Sequence, residues 1–326
     1  QVYSIASREM RSRGAHLALS PVVDIARDPR WGRIEETYGE DPYLVSEIGL
    51  AAIRGFQGRE LPLADDKVLV TLKHMTGHGQ PESGTNVAPA ELTEHTLRTF
   101  FFPPFERAVK EGNAMSVMPS YNEIGGLPSH ANGWLLNDVL KKEWSFNGAV
   151  VSDYFAIREM VTRHRMLKDA KQAAERAIEA GVDNEMADAD AFLELPGLVA
   201  EGRVDVELID AAVRRILRLK FIAGLFENPF ADADYAERIE ANPEAISLAR
   251  EAARKSMVLL KNDGLLPLDA NNIDSQLVVG TQAKDTPLGG YSDVPRHVVS
   301  VLEGLTSAAD DQFDVSYSEG VRITES

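Results

Sequence analysis

Ala149-Val-Val-Ser-Asp153-Tyr154 is an apolar run too short for a helix, and it ends on a carboxylate and an aromatic. Following Gly148, it reads as a buried strand whose C-terminal end turns polar. The same plan recurs along the chain. His16-Leu-Ala-Leu-Ser-Pro-Val-Val-Asp24 ends at Asp24, and Val68-Leu-Val-Thr-Leu-Lys73-His74 ends at Lys73 and His74. Ala114-Met-Ser-Val-Met-Pro-Ser-Tyr121 leads to Tyr121 and Asn122, and the short run Gly181-Val-Asp-Asn-Glu185 carries Asp183 and Glu185.

Helical segments fall between these strands. Val2 to Arg13 stops at Gly14, a residue suited to a helix C-terminus. Asp41-Pro42 is a helix start, an N-cap followed by proline, and that helix ends near Gly55. Leu92 to Glu111 reads as helix interrupted by Pro103-Pro104; Trp134–Trp144, Ala170–Ala180, Ala191–Glu201 and Val206–Ala223 follow. Strand and helix in alternation signal βαβ units and a parallel sheet. Polar residues at the strands' C-terminal ends suit both a barrel and a doubly wound sheet. No Gly-x-Gly-x-x-Gly follows the first strand and no Gly-Lys-Ser/Thr loop occurs, so the barrel is favoured.

The expected fold class is therefore α/β: a (β/α)8-type TIM barrel over residues 1–226, then a polar linker over 227–245. Residues 246–326 read as a second α/β unit, with a helix from Asn242-Pro243, a turn at Asn262-Asp-Gly264 and a strand at Leu277-Val-Val-Gly280. The chain opens at Gln1 already in helical rhythm without an initiator Met, and it reads as a fragment or a processed chain. Periplasmic, secreted and cytoplasmic locations are all compatible with it.

Composition narrows the partners. The 326 residues are 44% hydrophobic and 26% charged, the profile of a globular protein. No apolar run approaches the roughly 20 residues that span a bilayer, so no membrane partner is expected. A formal charge of −17 argues against nucleic acid, which needs clustered Lys and Arg. A neutral, small-molecule substrate such as a sugar is compatible with an acidic surface. The absence of cysteine excludes disulfides and thiolate metal sites.

Each candidate residue has two readings. A carboxylate at a barrel strand end is held rigidly toward a pocket, as a covalent nucleophile must be, but Asp153 is equally suited to cap the next helix. Lys73-His74 suits hydrogen bonding to a ligand and would keep a nearby Asp ionised; a structural ion pair is the alternative. His74 and His78, and Glu91 and His95, have helical metal-ligand spacing. The glycine-rich surroundings of the first pair and the missing Glu of a zinc-protease helix argue against metal, and no cofactor is expected. There is no Gly-x-Ser-x-Gly elbow. Trp31, Trp144, Tyr121, Tyr154 and Tyr291 are the aromatics considered for stacking, and of these Tyr121 and Tyr154 lie beside strand ends.

Taken together, the segments resemble glycoside hydrolase family 3 over essentially the whole chain. The resemblance rests on Ser20-Pro-Val-Val-Asp-Ile-Ala-Arg-Asp-Pro-Arg-Trp-Gly-Arg-Ile-Glu-Glu-Thr-Tyr-Gly-Glu-Asp-Pro42, Lys73-His-Met-Thr-Gly-His-Gly79, Met118-Pro-Ser-Tyr-Asn122 and Val150-Val-Ser-Asp-Tyr154. Ser256-Met-Val-Leu-Leu-Lys-Asn-Asp-Gly-Leu-Leu-Pro-Leu268 resembles the start of that family's second domain.

The resemblance implies a (β/α)8-type TIM barrel, incomplete at its N-terminus, followed by the truncated beginning of an α/β sandwich domain. It also implies a retaining, exo-acting β-glucosidase or β-xylosidase taking β-glucosides or cello- and xylo-oligosaccharides. It makes Asp153 the nucleophile. Arg33, Lys73 and His74 would bind sugar hydroxyls, with Tyr121 nearby and Met118 lining the pocket. Gly290 and Tyr291 match a second-domain loop. The family's acid/base Glu is expected beyond Ser326, and Glu303, Glu319 and Glu325 lack its context. The N-acetylglucosaminidase branch is disfavoured, because the loop runs Gln80-Pro-Glu-Ser-Gly-Thr-Asn86 without that branch's Asp-Ser-His. A catalytically incomplete sugar-binding fragment and a metal-dependent barrel lyase or aldolase are the rival readings.

Overall fold

The computed structural model describes residues 1–240, 242–293, 295 and 298–321. It divides into two compact units, Gln1–Asn242 and Pro243–Ser326. Glu325 lies outside the described residues.

The first unit is built on one parallel sheet. Its strands are β1 (Leu17–Ala18), β2 (Leu69–Met75), β3 (Ser116–Pro119) and β6 (Ala149–Val150), paired in the order β1-β2-β3-β6. A parallel bridge from Val151 to Asn184 extends the arc. Every crossover moves one place in the same direction, and the strand order never reverses. A doubly wound sheet requires such a reversal at its switch point. The winding therefore settles the choice that alternation left open, and the fold is TIM-barrel-like, with the arc not closing among the described residues. An antiparallel hairpin, β4 (Glu123–Ile124) with β5 (Leu127–Pro128), is inserted after β3. It turns at Gly125 and Gly126, both at positive φ (56° and 74°), which glycine adopts without steric cost.

Local signals explain several elements directly. The helix Pro42–Phe56 starts where Asp41 accepts a hydrogen bond from Leu44 N at 2.7 Å. The helix Ala170–Ala180 is capped by Asp169 and ends at Gly181, φ 105°. The expected interruption at Pro103-Pro104 is corrected. The prolines occupy the first turn of the helix Phe102–Lys110, and a π-helical turn, Leu97–Phe101, precedes them. The backbone stays helical from Glu94 to Lys110, and the wider π turn accommodates the prolines that follow it.

Gly148 allows β6 to lie close to β3, since a Cβ there would sit 2.1 Å from Met115 O. Beneath the strands, Phe102 packs edge-on against Trp144 at 5.2 Å, within a buried cluster that includes Phe101, Phe105 and Leu135. This cluster anchors the ends of β2, β3 and β6, and so the residues that follow them.

The segment 227–245 contains the helix Ala233–Ile239, capped by Asp232 on Tyr235 N at 3.0 Å, and the first residues of the helix Pro243–Ser256. In the second unit β7 (Ser275–Val279) pairs in parallel with β8 (Asp314–Ser318). Between them the helix Val301–Ala309 opens with a capping box of Ser300 and Glu303. Among the described residues no helix is long and apolar enough to cross a membrane.

Candidate active site

Asp153 lies two residues beyond the Val151 bridge and is 8% exposed. It does not cap the next helix, whose N-cap position is Phe155. Instead its Oδ1 accepts from Tyr121 Oη at 2.9 Å and from Tyr154 N at 2.7 Å. Its buried Oδ2 makes no hydrogen bond among the described residues and lies 3.6 Å from His74 Nε2. The Tyr121 hydroxyl also lies 2.9 Å from Tyr154 O, so two acceptors share its one proton. One carboxylate oxygen is thus held and the other left open.

A buried polar chain faces that open oxygen. Asp24 Oδ2 accepts from His74 Nδ1 at 2.7 Å and from His74 N at 3.2 Å. Arg33 donates from Nη2 to His74 Nε2 at 2.9 Å and from Nη1 to His78 Nε2 at 3.3 Å. His78 Nδ1 in turn bonds Asn122 Oδ1 at 3.3 Å. A guanidinium only donates, so both imidazoles accept at Nε2 and carry their proton on Nδ1. All four ring nitrogens of the pair are engaged. Arg33 also forms a fork on Glu36, at 2.7 and 2.9 Å. Trp31 stands edge-on to His78 at 4.9 Å and donates from Nε1 to Asn86 Oδ1 at 2.9 Å.

Burial dominates the electrostatics. His74 lies well below the usual histidine range because it is buried, with the charges of Arg33 and Lys73 adding. Burial pushes His78 down to about 3, and the neighbouring His74 adds to the effect. Burial raises Asp24 to about 6 and also raises Asp153. At Asp153 the Tyr154 amide, the Tyr121 hydroxyl, Lys73 and Arg33 all oppose that rise. Lys73 and Arg33 thus act on this carboxylate in the expected direction, favouring its charged form against desolvation. Lys73 is itself lowered by burial, against the pull of Asp153.

These shifts have opposite effects on stability. A histidine depressed in the fold contributes stability that is present above about pH 6.5 and lost as the pH falls through its folded value. A raised carboxyl contributes stability that is present below about pH 4 and lost as the pH rises through its folded value. The depressed His16, His74, His78 and His130 are matched in number by the raised Asp24, Asp153, Glu159 and Asp183. The carboxylates lowered in the fold, Glu36, Glu111, Glu143 and Glu201 among them, tip the balance, so acidification is net destabilising. All three tryptophans lie in the first unit and report on its unfolding. The urea midpoint by tryptophan fluorescence is expected to be lower at about pH 4.5 than at about pH 7. A higher midpoint in acid would mean that the histidines are not held neutral.

The structure brings Arg33, Lys73, His74, Tyr121 and Asp153 together. Tyr154 sits beside them, part-exposed, with its side chain toward solvent. Met118 is buried on β3 and belongs to neither apolar core cluster. Tyr291 lies in the second unit and is 90% exposed.

Asp183 and Glu185 do not join the group. Asp183 is bound by Arg215 at 2.8 Å and Val150 N at 2.8 Å, and Glu185 accepts from the amides of Asp190, Ala191 and Phe192. Both stabilise backbone. Sequence reading gave no role to His78 beyond metal, and none to Asn122, Glu36 or His130. Asn122 was visible as a polar strand end, whereas His130, in Pro128-Ser-His-Ala-Asn132, carries no local signal.

A parallel α/β arc with a carboxylate, a guanidinium, an ammonium and imidazoles at its C-terminal ends defines a barrel-type protein with its candidate site on that face. Residues 1–219 match the glycosyl hydrolase family 3 N-terminal domain, and the chain belongs to that family. It is 37% identical to a beta-xylosidase of Formosa agariphila, over 98% of this chain and 47% of that protein. It is 34% identical to a periplasmic beta-glucosidase of Salmonella typhimurium, over 98% and 42%.

Among solved structures, a β-glucosidase from Erythrobacter marinus matches with a TM-score of 0.95 and 41% identity, covering 99% of this chain and 43% of that one. A β-glucosidase from Listeria innocua in complex with glucose matches with a TM-score of 0.91 and 34% identity, covering 99% and 45%. The chain spans less than half the length of each of these relatives.

Proposed function

We propose that the complete protein is a retaining, exo-acting β-glycosidase that releases terminal β-D-glucosyl or β-D-xylosyl residues, with Asp153 as its nucleophile. The observation that carries this reading is the asymmetry of the Asp153 carboxylate. Oδ1 is held by two donors, while buried Oδ2 bonds nothing among the described residues and faces the His74–Arg33 chain. A nucleophilic carboxylate needs one oxygen oriented and the other available to the anomeric carbon.

In the first step Oδ2 attacks that carbon and the glycosidic oxygen leaves with a proton from a general acid. In the second, water displaces the carboxylate and the anomeric configuration is retained. The acid is the Glu that family resemblance places beyond Ser326. Arg33 and Lys73 supply donors for sugar hydroxyls. His74, with both ring nitrogens engaged, holds Arg33 in place and presents a neutral edge to Asp153. Tyr121 orients the nucleophile, and Met118 contributes apolar pocket wall. Tyr154, exposed beside Asp153, favours tolerance of xylosides.

The test treats the complete protein with 2-deoxy-2-fluoro-β-glucosyl and -xylosyl fluorides. Peptide mass spectrometry is expected to find one glycosyl unit on Asp153, and proton NMR of aryl-glycoside hydrolysis to show the β-anomer first. Labelling of another residue, or first appearance of the α-anomer, would overturn the mechanism.

A further inference from the structure

The amide of Asp153 is held in an unusual way. Around it, Val151 N donates to Val117 O at 3.0 Å, Ser152 N to Asn184 O at 2.8 Å and Phe155 N to Met186 O at 2.9 Å, all backbone, while Tyr154 N donates to the Asp153 carboxylate at 2.7 Å. Asp153 N instead donates to a side chain, His130 Nε2, at 3.0 Å. An amide donor requires an unprotonated acceptor, so His130 carries its proton on Nδ1. The ring also interacts with the backbone of Ser120, the residue before Tyr121. One imidazole therefore joins the segment that carries Tyr121 to the segment that carries Asp153.

The placement of His130 is itself over-determined. The residue is 2% exposed and lies in the 3₁₀ turn Ser129–Ala131 that follows the β4–β5 hairpin. Ser129 Oγ donates to Asn122 O at 2.9 Å and lies 3.0 Å from Ser120 Oγ, which in turn bonds Thr76 O at 3.0 Å. The hairpin is thereby tied to the ends of β2 and β3. Burial holds the ring at about 3, with the neighbouring His164 adding, so it stays a neutral acceptor.

We propose that His130 is a positioning residue for the reaction: by accepting from the Asp153 amide and bonding the Ser120 backbone, it sets the reach of Asp153 Oδ2 toward the anomeric carbon. This rests on the reading of Asp153 as nucleophile. His130 has no route to the sugar of its own, because it is 2% exposed and its Nε2 is occupied by the Asp153 amide. Its removal should slow attack without weakening sugar binding.

The experiment compares wild type with His130→Leu and His130→Gln in the complete protein, with folding checked by circular dichroism. The readouts are the rate constant and the binding constant for inactivation by 2-deoxy-2-fluoro-β-glucosyl fluoride. Leucine removes the acceptor and is expected to lower the inactivation rate constant about 10²-fold with the binding constant little changed. Glutamine offers an amide oxygen and should recover much of that loss. Equal rates in wild type and His130→Leu would overturn the proposal, as would equal losses in both variants. If the leucine variant does not fold, nitrogen-15 NMR of wild type decides, since a protonated Nε2 on His130 is incompatible with it. No label on Asp153 in wild type would overturn the nucleophile assignment, and this proposal with it.

Discussion

Asp153→Ala in the complete protein is expected to lower kcat on an aryl β-glycoside by about 10⁴- to 10⁶-fold, because the covalent route loses its attacking group. Asp153→Asn should behave alike, since an amide oxygen accepts from Tyr121 and Tyr154 as Oδ1 does but is a poor nucleophile. The fold should not suffer.

Burial raises the Asp153 carboxyl, so its ionised form opposes folding. Its stabilising contribution is complete below about pH 4 and is lost as pH rises through the folded value. At neutral pH an uncharged Asn avoids that loss, and the urea midpoint of Asp153→Asn should equal or exceed that of wild type. The difference should shrink on acidification. Near-normal turnover in either variant, with wild-type contamination excluded, would sink the nucleophile assignment. A lower midpoint for Asn at pH 7 would contradict the desolvation argument alone.

Arg33→Ala should follow in size. This guanidinium reaches His74, His78 and Glu36 at once, and the geometry of the fork makes that possible. Its loss leaves two buried imidazole acceptors open and Glu36 without its fork. A fall in kcat/KM of about 10³-fold is expected, the size of losing a charged donor from a preorganised site. Stability should drop by about 2 kcal/mol, because buried acceptors without partners are expensive.

Arg33→Lys should recover little of either, since a single ammonium cannot hold three groups in the same plane. Removing the Arg33 charge should also raise the His74 titration, which that charge depresses. Nitrogen-15 NMR of His74 against pH measures this. Wild-type rates in Arg33→Lys would show that charge alone, rather than the two-imidazole clamp, is what Arg33 contributes.

The features that could be read along the chain were those whose causes are local. Asp41 caps its helix through Leu44, three residues away, so the Asp-Pro pair announced it. The helix Ala170–Ala180 and the buried strands that carry Lys73 and lead to Tyr121 and Asp153 were legible for the same reason. Pro103-Pro104 was misread because a local rule, proline as helix breaker, ignores position. A π turn beforehand accommodates the pair within a run that stays helical from Glu94 to Lys110. Asp183 and Glu185 looked like their neighbours Asp24 and Asp153, and only their partners distinguish them. Arg215 comes from a helix 32 residues away in sequence.

Composition, periodicity and strand-end chemistry were enough to establish an α/β chain with its polar residues on one face, since each of these is a property of a few adjacent residues. They could not say whether Asp153 capped the next helix. That was decided by contacts across the fold: Tyr121 over a separation of 32 residues, His130 over 23 and the Asp24–His74 pair over 50. Side-chain hydrogen bonds at such separations depend on how the strands are wound, and desolvation depends on what else is packed around them. Neither quantity belongs to any single stretch of sequence.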